Sequence, residues 1–196
     1  MLNNLLKKLV VFAFIVLFIG MSIIPSTGAM IVKNSIMPIY SGNTLYVGGS
    51  EPGNYSKIQD AINDSSNGDT VYVYSGMYYE NVIVNKSIDL IGENKTSTII
   101  DGRRKGDTVH VMAKDVTLSG FTVKNGSLGN KINGSNWYYA GIRLTASNSI
   151  ICGNNLCQNT LGIFGKKVTN ITIFNNDFIG DGVTFSLYDV GSASYF

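Results

Sequence analysis

Short runs in which apolar and polar residues alternate recur along this chain, and in its second half they recur in register. The stretch Asn148–Leu156 returns 22 residues later as Asn170–Phe178. Ile151 then falls on Ile173, Asn154 on Asn176 and Leu156 on Phe178. A weaker copy lies upstream at an offset of 33, with Leu118 on Ile151, Phe121 on Asn154 and Val123 on Leu156. Gly141–Leu144, Gly162–Gly165 and Gly182–Phe185 sit between the copies. A period of about 20 to 25 residues built from such runs marks a solenoid. The runs are too short for helices and are rich in β-branched residues, so they predict strands with one buried face. At about 3.3 Å per residue, one repeat closes a rung of three short strands and three corners. Stacking the rungs pairs equivalent strands in parallel around one apolar column.

Asn154 and Asn176 fall where the chain must turn sharply. Asn tolerates left-handed backbone angles, and its amide bonds neighbouring backbone groups. Stacked in register, the two amides predict a rung-to-rung ladder of structural corner residues, and Phe121 predicts that the ladder stops or changes type in the upstream coil.

Upstream, Ser56–Asn63 reads as a short amphipathic helix with Ser56 as N-cap and Ile58, Ala61 and Ile62 on one face. Such a helix suits the lid that a solenoid needs at its end. Strands are predicted at Thr44–Val47, Thr70–Tyr74, Asn81–Val84, Ser87–Ile91, Thr98–Ile100, Thr108–Met112 and Val116–Leu118. The succession Ile58–Ile62, Gly68–Val73, Gly76–Val82, Leu90–Gly92 and Thr98–Gly102 resembles the first coils of right-handed parallel β-helix proteins of the pectin-lyase-like kind. The resemblance covers about residues 44 to 185 and is nearest to the NosD-like group, with its carbohydrate-binding and sugar-hydrolase repeat, among exported and archaeal-type surface proteins. It implies an all-β, right-handed, single-stranded parallel β-helix with a short N-terminal cap helix. It is specific for fold and poorly specific for activity.

The chain opens with Lys7 and Lys8, an apolar run from Leu9 to Ile24 and small residues at Thr27 and Ala29. This pattern predicts a signal peptide over residues 1–29, cut near Ala29. The other reading is an uncleaved anchor, and only that reading places the protein at a membrane. An irregular segment, 30–43, and a β-helix domain, 44–196, complete the expected organisation. Of 15 basic and 13 acidic residues, the signal segment holds two basic ones, so 13 of each remain and no electrostatic footprint for nucleic acid exists. The expected location is secreted or cell surface. Sequons begin at Asn54, Asn63, Asn85, Asn94, Asn125, Asn133 and Asn170, which are glycosylation sites if the chain crosses a glycosylating compartment. Cys152 and Cys157, the two cysteines, allow a local disulfide or two free thiols.

Candidate chemistry is sparse. Enzymes that this fold resembles use acidic clusters on one sheet, holding calcium or acting as acid and base. Here Asp101, Asp107, Asp115, Asp177, Asp181 and Asp189 stand apart, with no Asp-Asp or Asp-x-Asp pair, and they read as solvated turn residues. Arg143 faces outward between Ile142 and Leu144. In the lyases an outward Arg can act as base, but with no carboxylate neighbour in sequence it reads as a surface residue. Arg143, Asp177 and Asp181 are therefore weak catalytic candidates. Copper, which the NosD-like resemblance suggests, finds only His110 and scattered methionines, so no metal site is expected, and no cofactor beyond calcium in the lyase case.

The 11-residue excess that stretches one repeat to 33 lies within 126–140 and carries Trp137, Tyr138 and Tyr139 beside Asn133 and Asn136. Rings packing on sugar faces and amides bonding hydroxyls make these five the expected ligand-binding residues, against a reading in which the rings cover a sheet. Tyr72, Tyr74, Tyr78 and Tyr79 form a second candidate strip. The function expected is a surface module that binds polysaccharide or cell-envelope glycan, or builds the envelope, without catalysis. The alternatives are a polysaccharide lyase, esterase or hydrolase, and an accessory factor for copper-enzyme maturation. The chain stops just after the Val183/Phe185 rung, which predicts either missing coils or end-to-end self-association through that rung.

Overall fold

A computed structural model describes residues 42–126, 131–132, 135–136, 139–188, 191 and 193–195. The signal segment, Trp137, Tyr138, Asn133 and Asp189 lie outside these residues, and the side chain of Asn136 is not described. Three parallel sheets wrap one apolar column. Sheet A holds β1 (Thr44–Val47), β2 (Thr70–Val73), β5 (Asp89–Gly92), β8 (Thr117–Ser119), β13 (Ile150–Cys152), β16 (Ile171–Phe174) and β19 (Ala193–Tyr195) in that order. Sheet B holds β3 (Gly76–Tyr78), β6 (Thr98–Asp101), β9 (Thr122–Lys124), β14 (Asn155–Cys157) and β17 (Asp177–Ile179). Sheet C holds β4 (Val82–Val84), β7 (Val109–Val111), β12 (Ala140–Leu144), β15 (Leu161–Lys166) and β18 (Val183–Tyr188). From β2 onward the chain visits A, B and C in turn, coil after coil. This is a right-handed parallel β-helix, the hand that parallel crossovers take. A short antiparallel pair, β10 (Lys131–Ile132) and β11 (Ser135–Asn136), lies in the excursion between β9 and β12.

The repeat offsets are the strand registers. Ile151 pairs with Ile173 and with Leu118, and Leu156 pairs with Phe178 and with Val123. The inward column follows: Tyr78, Ile100, Val123 and Leu156 from sheet B, and Val82, Val109, Ile142 and Ile163 from sheet C, all buried. Full burial of such a side chain contributes about 1.5–3 kcal/mol, so the many-membered column supplies most of the burial that holds the fold.

The helix α1 (Ile58–Asp64) buries Ile58, Ala61 and Ile62. Its capping differs from the sequence expectation. Lys57, not Ser56, is the N-cap, with no side-chain bond. Glu80, from the next coil, accepts from the Ile58 and Gln59 N–H groups at 2.9 and 3.0 Å. A carboxylate at a helix N-terminus satisfies orphan donors and meets the positive end of the dipole.

Candidate functional site

Outward chemistry is densest on sheet C. Ile83, His110, Arg143, Phe164 and Ser186 form one register line across β4, β7, β12, β15 and β18. Arg143 is not isolated, as its sequence neighbours suggested. Its Nε donates to Asp107 Oδ2 at 2.6 Å, and both side chains are only 12% exposed. The other Asp107 oxygen accepts from the Ala140 N–H at 2.7 Å. The guanidinium also lies 4.6 Å over the Phe164 ring. Reading Asp107 as a solvated turn residue is therefore corrected: it closes the coil between β7 and β12. His110 Nε2 meets Thr145 Oγ1 at 2.9 Å. Burial lowers the His110 imidazole below its ordinary value; Asp107 pulls the other way and Arg143 adds to the lowering. Asn81, Lys105, Asp107 and His110 help line a shallow groove of about 230 Å³ beside this cluster.

The outer face of sheet A is aromatic at its N-terminal end. Tyr46 and Tyr72 are paired neighbours on β1 and β2, and Tyr74 follows β2. Their ring centroids lie 6.0, 6.0 and 5.3 Å apart, within the range of favourable aromatic pairs. Tyr46 is 43% exposed. This group divides the tyrosine strip read from sequence. Tyr72 and Tyr74 join Tyr46, whereas Tyr78 is buried and donates its hydroxyl to the Tyr74 carbonyl at 2.8 Å. Tyr79 stands apart, with Arg103 3.9 Å over its ring. Tyr139, from the expected ligand-binding set, is half-buried.

On sheet B, Asp177 is exposed and pairs with Lys95 at 2.7 Å. Asp101 is buried, contrary to expectation. It accepts from the Arg103 N–H and from Asn125 and lies 3.5 Å from Lys124. Burial works against its charge, yet these partners outweigh it and hold the carboxyl below its ordinary value. Cys152 and Cys157 are free thiols, so the disulfide reading is not realised. They sit on different sheets either side of the Asn154 corner, and burial pushes both thiols up.

The A-to-B corner holds the amide ladder. Asn176 Oδ1 accepts from the Asn154 N–H and side chain, each at 3.0 Å. Asn154 is fully buried; its Oδ1 accepts from the Phe121 N–H, and its Nδ2 donates to the Leu118 carbonyl. Phe121 ends the ladder because its ring carries no amide, which leaves only its N–H to bond Asn154 Oδ1. A second ladder occupies the B-to-C corner. Asn159 Oδ1 accepts from Gly126 and its Nδ2 donates to the Val123 carbonyl. Asp181 Oδ1 accepts from the Asn159 N–H and Nδ2 at 2.8 and 3.1 Å. Asp181 is thus a half-buried corner residue and not a solvated acid, and its Oδ2 is buried without a partner. Burial raises its carboxyl, against the two Asn159 bonds. The signal for this ladder was the 22-residue spacing from Asn159 to Asp181, hidden because the two residue types differ.

Among the described residues no group of three or more His, Cys, Asp or Glu side chains could hold a metal ion.

No family model matches the chain. A cell surface glycoprotein of Methanothermus fervidus is 36% identical over 78 residues, 38% of this chain and 13% of the relative. A solved pectin methylesterase in complex with a hexasaccharide aligns at TM-score 0.50 and 13% identity, over 76% of this chain and 60% of that one. The pectin methylesterase PemA of Erwinia chrysanthemi aligns at 0.49 and 14%, with the same coverage. The chain therefore spans a small part of its curated relative and less than two thirds of these solved chains. At such identities the structural likeness concerns the fold.

Proposed function

We propose that this chain is a β-helix module of an exported, cell-surface protein, and that it binds envelope carbohydrate without altering it chemically. One observation carries the non-catalytic half. The Asp107–Arg143 pair, the most concentrated outward charge on sheet C, has both carboxylate oxygens occupied and its guanidinium held between Asp107 and Phe164. A guanidinium already engaged by a carboxylate and a ring is poorly placed to act as base. The binding half draws on the tyrosine group of exposed Tyr46 and half-buried Tyr72 and Tyr74, whose rings can pack on apolar sugar faces. Trp137, Tyr138, Tyr139, Asn133 and Asn136 of the excursion are the second contact set. The name of the Methanothermus relative supports the surface location.

A second reading, a polysaccharide esterase or lyase, is favoured by the meeting of Asp107, His110 and Arg143 beside one groove. Titration of intrinsic tyrosine fluorescence with envelope polysaccharide separates the two. The binding reading expects saturable quenching that Tyr72→Ala weakens about tenfold, the loss of roughly one stacking contact of ~1.4 kcal/mol. Quenching unchanged in Tyr72→Ala, together with product release lost in Arg143→Ala, would establish the enzyme reading instead.

A further inference from the structure

The structure describes six of the seven sequon asparagines, all but Asn133, and it sorts them sharply. N-glycosylation needs an accessible side-chain amide nitrogen as nucleophile and an accessible hydroxyl two residues on. Asn54 is half-buried and its Nδ2 donates to the Gly48 carbonyl at 2.7 Å. Asn125 is half-buried and its Nδ2 donates to Asp101 at 2.8 Å, inside the cluster that closes the B-to-C corner. Asn170 is exposed, but its Nδ2 is engaged, donating to Asn148 Oδ1 of the preceding rung at 3.2 Å. Asn63 is exposed, but it lies within α1, and the hydroxyl of its sequon, Ser65, is 3% exposed and donates to the Ile62 carbonyl.

Asn85 and Asn94 are different. Asn85 is exposed at the corner between β4 and β5, and its side chain has no hydrogen-bond partner among the described residues. Asn94 is exposed at the corner between β5 and β6. Its Oδ1 accepts from both the N–H and the hydroxyl of Thr96, at 2.9 and 2.7 Å, which leaves Nδ2 unengaged and holds the sequon hydroxyl beside the amide. We propose that Asn85 and Asn94 carry N-linked glycans, and that Asn54, Asn63, Asn125 and Asn170 do not. In the transfer, Nδ2 forms a bond to the anomeric carbon of a lipid-phosphate- or lipid-pyrophosphate-linked oligosaccharide. The anomeric carbon–oxygen bond breaks, the lipid phosphate leaves with the electron pair, and one amide proton passes to a base of the transferase.

The two sites flank a single strand. Asn85 precedes β5 and Asn94 follows it, and Ile91 of β5 pairs with Tyr72 of the tyrosine group. Glycans at these corners rise from both edges of sheet A beside the aromatic face. A ligand reaching Tyr46, Tyr72 and Tyr74 then approaches between them.

This inference rests on the export reading, and two measurements keep the failures apart. Cell fractionation followed by immunoblotting reads location: recovery from the cytosol alone would sink the export reading. Site choice is read on the folded protein incubated with glycosylating membranes and a lipid-linked oligosaccharide, followed by glycopeptide mass mapping. The expected result is one glycan each on the Asn85 and Asn94 peptides, with each Asn→Gln variant losing one glycan mass and the double variant losing both. Ser87→Ala, which removes the sequon hydroxyl and leaves Asn85 in place, should lose the Asn85 glycan alone. Unmodified Asn85 and Asn94 peptides, or glycan on Asn54, Asn63, Asn125 or Asn170, would overturn the assignment.

Discussion

Asp181 gives the sharpest test of how the corners work. Within the two ladders, Asn154 donates its Nδ2 to Leu118, Asn159 to Val123 and Asn176 to Ile151. Each acceptor lies three residues before the position that pairs with the donor one rung back. The same register assigns the Leu156 carbonyl to Asp181, where an amide would donate. Asp181 instead presents a second oxygen, buried and without a partner. A buried oxygen that no donor reaches is tolerated better when it carries a proton, which agrees with the raised carboxyl. Asp181→Asn restores the donor. A buried unsatisfied polar group costs about 1–3 kcal/mol. The side chain is half-buried, so about 1 kcal/mol is the expected gain at pH 7, or about 3 °C in Tm for a domain of this size.

The pH dependence has a definite sign. A carboxyl raised in the folded state binds more protons folded than unfolded. Its contribution is therefore full below the ordinary value of 3.8 and is lost as pH rises through the folded-state value. Cys157 is a titratable neighbour, and its thiol feels Asp181, Asp101 and Lys124; it ionises above this window. Urea denaturation from pH 3 to 8 should show the variant's advantage absent at the acid end and growing towards neutrality. A variant no more stable than the parent at pH 7, or an advantage independent of pH, would refute the reasoning.

Asp107→Ala leaves the Arg143 guanidinium at 12% exposure without its carboxylate, and it should lower stability by about 3 kcal/mol in urea denaturation. Asn154→Ala removes a fully buried amide that serves Phe121, Leu118 and Asn176; a loss of about 2–4 kcal/mol is expected by calorimetry, against a near-neutral result for the exposed Asn85→Ala. Glu80→Ala uncaps α1 and should cost about 1 kcal/mol, with amide exchange speeding up at Ile58 and Gln59 and little elsewhere.

The strand columns were legible because the 22- and 33-residue offsets are also the registers, so Ile151, Ile173 and Leu118 announce one another. The features that local sequence does not show share one physical cause: their partners meet across coils. Glu80 caps α1 from the following coil, and the local pattern around Ser56 offered a cap that is not used. His110 and Arg143 are register partners at the same 33-residue offset. Carrying that offset from sheet A to sheet C would have placed Asp107, three residues before His110, within reach of Arg143. Asp181 was hidden by its charge: an acid on an amide ladder reads as a solvated turn until the Asn159 register is applied. The candidate site is less legible than the fold because outward residues carry no periodic constraint. Tyr46 joins Tyr72 and Tyr74 only through the pairing of β1 with β2.

Binding without turnover can be read by incubating the protein with glycan extracted from its own cell envelope and measuring retention and chemistry in one sample. Co-sedimentation reads retention; released methanol, new reducing ends and unsaturated uronate absorbance read chemistry. Retention should be insensitive to chelator and weakened by Tyr72→Ala, with no product of any of the three kinds. Product formed by the parent and abolished by Arg143→Ala, or no retention at all, would contradict binding without turnover.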